Sequence, residues 1–108
     1  MTIIAWLVFI GAAALEVGGD AIIRVGLRGA GWWVVAGGCL VLGCYGLLVN
    51  VIQWEFSRLL GVYVAVFALV SVLFGRLVFR EQIATSTWVG LALILAGGLV
   101  IQLGPRLD

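Results

Sequence analysis

Four charged residues recur at intervals of four in one otherwise apolar stretch: Glu16, Asp20, Arg24 and Arg28. Residues four apart on a helix share a face, drifting by about 40° at each step. Asp20 and Arg24 stand in the favourable order for an ion pair, acid before base. Arg24 and Arg28 are long enough to snorkel to lipid headgroups. Glu16 is harder to place. Its segment reads IIAWLVFIGAAALEVGGDAII over residues 3–23, and a helix rising about 1.5 Å per residue puts it roughly 20 Å from Ile3. A carboxylate in hydrocarbon is costly unless protonated, paired or hydrated, so such residues are rare and functional by default. Asp20, the only charged residue near it on the helix, has the same sign. Desolvation and a like charge both favour the protonated form of Glu16. A carboxyl group that takes up and releases a proton is what a proton-coupled carrier needs. The plainer role is a permanently protonated donor in a hydrogen bond between helices.

The elements that must hold these groups are membrane helices. The chain has 108 residues, 65% hydrophobic and 10% charged. A soluble domain of this size has too little interior to hide that much apolar surface. Four stretches reach the roughly 20 apolar residues of a span: residues 3–23, 32–53, 59–79 and 85–103. Short polar breaks separate them: RVGLRGAG, WEFSR and REQIATS. Gly29 and Gly31 suit a tight reversal. Connections this short make sequence neighbours antiparallel, so we expect an all-α integral membrane protein, one up-down four-helix bundle over residues 1–108. The N-terminal run has no basic n-region and exceeds a signal h-region in length, so we read it as a retained span.

The five Trp residues, Trp6, Trp32, Trp33, Trp54 and Trp88, all fall near the ends of these spans. That is the aromatic belt of a membrane protein. Arg24, Arg28, Arg76 and Arg80 lie toward one side, Arg58 and Arg106 toward the other. The bias weakly favours termini outside the cytoplasm and is compatible with insertion in both orientations. Net charge is +1 and His is absent. Nothing there points to nucleic acid, and the commonest metal ligand and general base is missing. Cys39 and Cys44 face different sides of the second helix and read as small buried side chains, with neither a disulfide nor a metal site. We expect no cofactor and no enzymatic activity, since no nucleophile–base pair or metal cluster is visible.

Other residues supply candidate surfaces. Gly18 and Gly19 follow Glu16 closely and let a helix or a substrate approach the backbone. Gly90 and Gly97, seven apart on the last helix, form a smooth stripe for packing within the bundle or between two copies. Tyr63 and Phe67 share a face of the third helix. They serve as core, or as the wall of a cavity that attracts an organic cation to aromatic faces. Tyr45 and Asn50 add polar groups to the second helix, and Asn50 is placed to hydrogen-bond a neighbour.

The run AALEVGGDAIIRVGL (residues 13–27) resembles the first helix of small multidrug resistance transporters, in which an A-E-V/I-x-G segment carries the essential Glu. Arg24 matches that helix's basic residue eight positions on, and Gly90 and Gly97 match a seven-residue glycine spacing in the fourth helix. Other stretches resemble the YnfA-like family of small inner-membrane proteins. These are EVGG at residues 16–19, FSRLLGVY at 56–63, Trp88-Val89-Gly90, and Pro105-Arg106 near the end. The third-helix Y-x-x-W-x-G-x-G segment of the multidrug group is absent, and Asp20 has no counterpart in either pattern. The resemblance implies a proton-coupled exporter of small organic cations in the inner (plasma) membrane, acting as an antiparallel homodimer. Two Glu16 carboxyl groups would then bind protons or a cation, but not both. Glu16, Asp20, Tyr63 and Phe67 are the expected binding residues, with Gly18, Gly19, Gly90 and Gly97 at helix or dimer contacts. The alternative is a non-transporting helical subunit of a larger membrane complex, with Glu16 and Asp20 paired to a partner or a lipid.

Overall fold

The computed structural model describes residues 3–105. Four helices account for most of them: α1 (Ile3–Val25), α2 (Trp32–Val49), α3 (Phe56–Leu77) and α4 (Thr85–Leu103). No strand occurs among the described residues, and all four helices are long and apolar enough to cross a membrane. The chain divides into two compact units, residues 1–53 and 54–108. Each is a helical hairpin, α1 with α2 and α3 with α4.

In the first hairpin the reversal is a π-turn over Gly26–Ala30. The chain leaves helical geometry at Arg28 and Gly29, and Gly29 (φ 127°) and Gly31 (φ 108°) take backbone conformations that side chains rarely tolerate. The Gly31 N–H closes the turn by donating to the Gly26 carbonyl at 3.1 Å. Ala5, Phe9, Ala12, Ala13, Val17 and Gly19 are buried and lie along one face of α1. Phe9 is fully enclosed and takes the edge of Trp6 with ring centres 6.3 Å apart. The helices cross closest at two glycines. A Cβ on Gly38 would stand 2.9 Å from the Gly19 carbonyl oxygen, and one on Gly19 would stand 2.9 Å from Leu42 Cδ2.

In the second hairpin the small pair is Gly98 and Ala65, where a Cβ on Gly98 would come within 2.6 Å of that of Ala65. Gly61 meets Ile101 on the next turn. Arg58 Nη2 donates to the Gln102 carbonyl at 2.7 Å, which ties the start of α3 to the end of α4.

The helix limits differ from the expected spans at several ends, for local reasons. α2 stops at Val49 instead of residue 53, because the Asn50 side chain donates to the Gly46 carbonyl at 2.8 Å and competes with further helix. α3 starts at Phe56, three residues early: the Glu55 carbonyl accepts from the Leu59 N–H at 2.8 Å. It ends at Leu77, two residues early, where Arg80 adopts φ 55° and the Glu81 N–H turns back to the Gly75 carbonyl at 3.0 Å. α1 runs two residues further, to Val25, while α4 matches its expected limits. Cys39 and Cys44 are exposed, not buried, because the buried residues of α2 are Gly38 and Val49. Arg106 and Asp108 lie outside the described residues.

Candidate functional site

Glu16 sits in the third quarter of α1, half-buried, on the face that carries Gly19 one turn later. The close Gly19–Gly38 crossing brings α2 against that face and sets the register between the two helices. Gly26 meets Val35 and Gly19 meets Leu42; the same count outward from the turn sets Glu16 level with Tyr45. The Tyr45 phenol is half-buried and hydrogen-bonds the Glu16 carboxyl, O–H to carboxylate oxygen. A hydrogen bond to an ionised group is shorter and stronger than a neutral one. The acid of α1 is therefore clasped by a hydroxyl from α2, within one hairpin.

This arrangement gives Glu16 two chemical states with different partners. Ionised, the carboxylate accepts from the phenol and can hold a cation. Protonated, it becomes a donor, and the phenol must turn or accept instead. Binding a proton at Glu16 therefore changes a contact between two helices as well as a charge.

The other expected residues are placed as follows. Asp20 is exposed one turn beyond Glu16. Gly19 is buried in the α1–α2 crossing, whereas no atom lies within 4 Å of the position a Cβ on Gly18 would take. Tyr63 is buried, with 3% of its surface exposed, and its ring centre lies 6.3 Å from that of half-buried Phe67 in a tilted pair. Both belong to the second hairpin. Close packing there falls to Gly98 and Gly61. Gly97 is exposed and Gly90 half-buried, and neither has an atom within 4 Å of its Cβ position. Among the described residues no group of three or more His, Cys, Asp or Glu is arranged to hold a metal ion.

Tyr45, which the sequence offered only as a polar group of the second helix, is the residue that the structure adds to this candidate site. Its signal was present but relational: it depends on the register of α2 against α1, which the π-turn and the glycine crossing determine.

The four apolar helices fit what the chain is similar to. The family described as "Uncharacterised BCR, YnfA/UPF0060 family" matches residues 2–107. The chain belongs to the YnfA/UPF0060 family. UPF0060 membrane protein YfjF of Bacillus subtilis (strain 168) is 34% identical over 110 residues, covering 98% of this chain and 99% of its own length. A UPF0060 membrane protein of Nocardia farcinica (strain IFM 10152) is 36% identical over 109 residues, covering 98% of each. One from Desulfitobacterium hafniense (strain Y51) is 32% identical over 104 residues, covering 94% of this chain and 96% of its own length. No solved structure matches the chain. With four apolar helices and YnfA/UPF0060 membrane proteins as full-length relatives, the protein is a multi-pass membrane protein. Among the described residues of this YnfA/UPF0060 chain, Glu16 is the acid furthest inside a span, and Tyr45 is its partner.

Proposed function

We propose that this protein is a proton-coupled exporter of small organic cations, working as a homodimer in which each copy contributes Glu16. The reading rests on one observation, a carboxyl group well inside a membrane span that is hydrogen-bonded by the Tyr45 hydroxyl of the facing helix. A hydroxyl at that place stabilises the ionised acid after its proton has left and can be displaced when an organic cation arrives. Proton and cation then compete for one group, and competition at a single carboxylate is enough to give exchange. A second copy supplies what one copy of 108 residues lacks, namely walls on all sides of a solute path. The likeness to small multidrug resistance transporters supports the same reading.

The test is Glu16→Gln, which keeps size and hydrogen bonding but cannot ionise. Reconstituted in vesicles with a pH gradient, the wild type should export lipophilic cations and release protons when a cation binds. The variant should do neither, while keeping the helical content and elution volume of the wild type. Full transport by a folded Glu16→Gln protein would sink the proposal.

One observation favours a second reading, a non-transporting subunit of a larger assembly: α3 runs as a single helix from Phe56 to Leu77. Isolation in mild detergent separates the two readings. A discrete pair of copies supports the exporter, and co-purification with a larger membrane complex supports the subunit.

A further inference from the structure

The first turn of α3 carries a cation that the Glu16 site does not use. Arg58 is half-buried. Its Nη2 donates to the Gln102 carbonyl at 2.7 Å, and its guanidinium lies 5.5 Å from the centre of the Trp54 ring. These contacts satisfy only part of the guanidinium fork. Arg58 Nε and Gln102 Oε1 are both closed off from solvent, and neither has a hydrogen-bond partner among the described residues. Glu55, three residues earlier, is exposed, and no carboxylate among the described residues pairs with Arg58.

A buried donor and a buried acceptor without partners are expensive, and a half-buried cation with no anion among the described residues adds to the cost. The Gln102 carbonyl belongs to the last turn of α4, the negative end of its dipole. It orients the guanidinium without neutralising it. An anion that accepts from Nε and carries a donor for Gln102 Oε1 would satisfy both atoms and offset the cation. A phosphate with an ammonium or hydroxyl beside it meets both demands, and the planar guanidinium fork suits phosphate oxygens.

The position agrees with that chemistry. Arg58 is the third residue of α3 and Gln102 the second-last of α4, so the cluster stands where the hairpin meets the membrane–water boundary. Trp54 stands just before α3 in the chain, where a belt aromatic is expected. A ligand reaches Nε only when the side chains that close it off from solvent turn aside.

We propose that Arg58, Gln102 and Trp54 form a phosphate-binding site at the membrane edge of the second hairpin, taking a phosphate group that carries a hydrogen-bond donor beside it. Lipid headgroups such as phosphatidylethanolamine and phosphatidylglycerol have this chemistry, and so does protonated inorganic phosphate. The site is independent of the exporter reading and survives its failure.

Two variants test it. Gln102→Glu supplies the missing anion from within the chain and should exclude phosphate. Arg58→Lys keeps the charge but removes Nε and the fork. The full-length protein in mild neutral detergent is titrated with short-chain phosphatidylethanolamine, short-chain phosphatidylglycerol and inorganic phosphate, and binding is followed by Trp fluorescence. Wild type should bind at least one of these about tenfold or more tighter than either variant, the loss expected for a charge-assisted hydrogen bond. Binding of the lipids alone assigns a headgroup; binding of inorganic phosphate as well assigns the phosphate itself. Equal affinity in wild type and Gln102→Glu, or no binding by wild type, overturns the site. If Gln102→Glu does not fold, the comparison with Arg58→Lys decides by the same criterion.

Discussion

Replacing Gly38 by Ala tests the crossing on which the Glu16–Tyr45 contact depends. The added Cβ would stand 2.6 Å from Ile23 Cγ1, 2.9 Å from the Gly19 carbonyl oxygen and 3.0 Å from the Ile23 nitrogen. The Ile23 side chain can turn away, but the other two atoms are backbone and move only with α1. Restoring a contact near 3.5 Å requires the helices to part by about 0.6 Å, which forfeits roughly a quarter to a half of the dispersion energy across the contact. Overpacking of this kind costs about 1–3 kcal/mol. Ala is a better helix former than Gly by about 1 kcal/mol, which offsets part of that cost. Gly37→Ala carries the same propensity gain with no atom within 4 Å of the new Cβ. The difference between the two variants therefore isolates the crossing, at about 1–3 kcal/mol. Equilibrium unfolding in mixed micelles of rising SDS fraction, followed by Trp fluorescence, measures it. Cation-induced proton release should fall in Gly38→Ala and persist in Gly37→Ala, because only the first moves Tyr45 away from Glu16. If the two variants unfold within about 0.5 kcal/mol of each other, the close crossing is not what positions the site.

Tyr45→Phe removes the hydroxyl and leaves the ring. A hydrogen bond to a charged group is worth about 1.5–3 kcal/mol, so exchange in vesicles should slow by roughly tenfold or more while Glu16 still releases a proton. Unchanged transport from pH 6 to 8, roughly the range spanning physiological pH, would show that the phenol is a bystander. In the second hairpin, Gly98→Ala places a Cβ 2.6 Å from that of Ala65, whereas Gly97→Ala meets nothing within 4 Å. SDS unfolding should therefore separate them by about 1–3 kcal/mol, with Gly98→Ala the less stable. Equal stabilities would mean that the α3–α4 packing is looser than drawn.

Much of this protein is legible without coordinates, because a bilayer leaves few choices. A span must satisfy its own backbone hydrogen bonds, so four apolar stretches of the right length become four helices. α4 came out at its expected limits, and Gly29 and Gly31 mark the reversal they were expected to make. The ends set by side chains were less legible. α2 stops early because one amide, Asn50, takes a carbonyl from the preceding turn, which hydropathy does not register. The small residues were legible as a class but not as individuals. Spacing picked out Gly19, which packs against α2, and Gly90 and Gly97, which meet nothing within their own hairpin, where Gly98 and Gly61 pack instead; between Gly97 and Gly98 one position of helix rotation separates a contact from an open face.

Glu16 shows the same division. Its depth in an apolar run is a property of the sequence alone, since charge and hydrocarbon conflict wherever the helix lies. That Tyr45 answers it is a property of the tertiary structure. The turn at Gly26–Ala30 and the approach of Gly38 to Gly19 set one helix against the other, and the two polar groups become partners only in that register. A one-dimensional pattern can reveal a group that needs a partner, but the partner is chosen by which surfaces the folded backbone brings within reach.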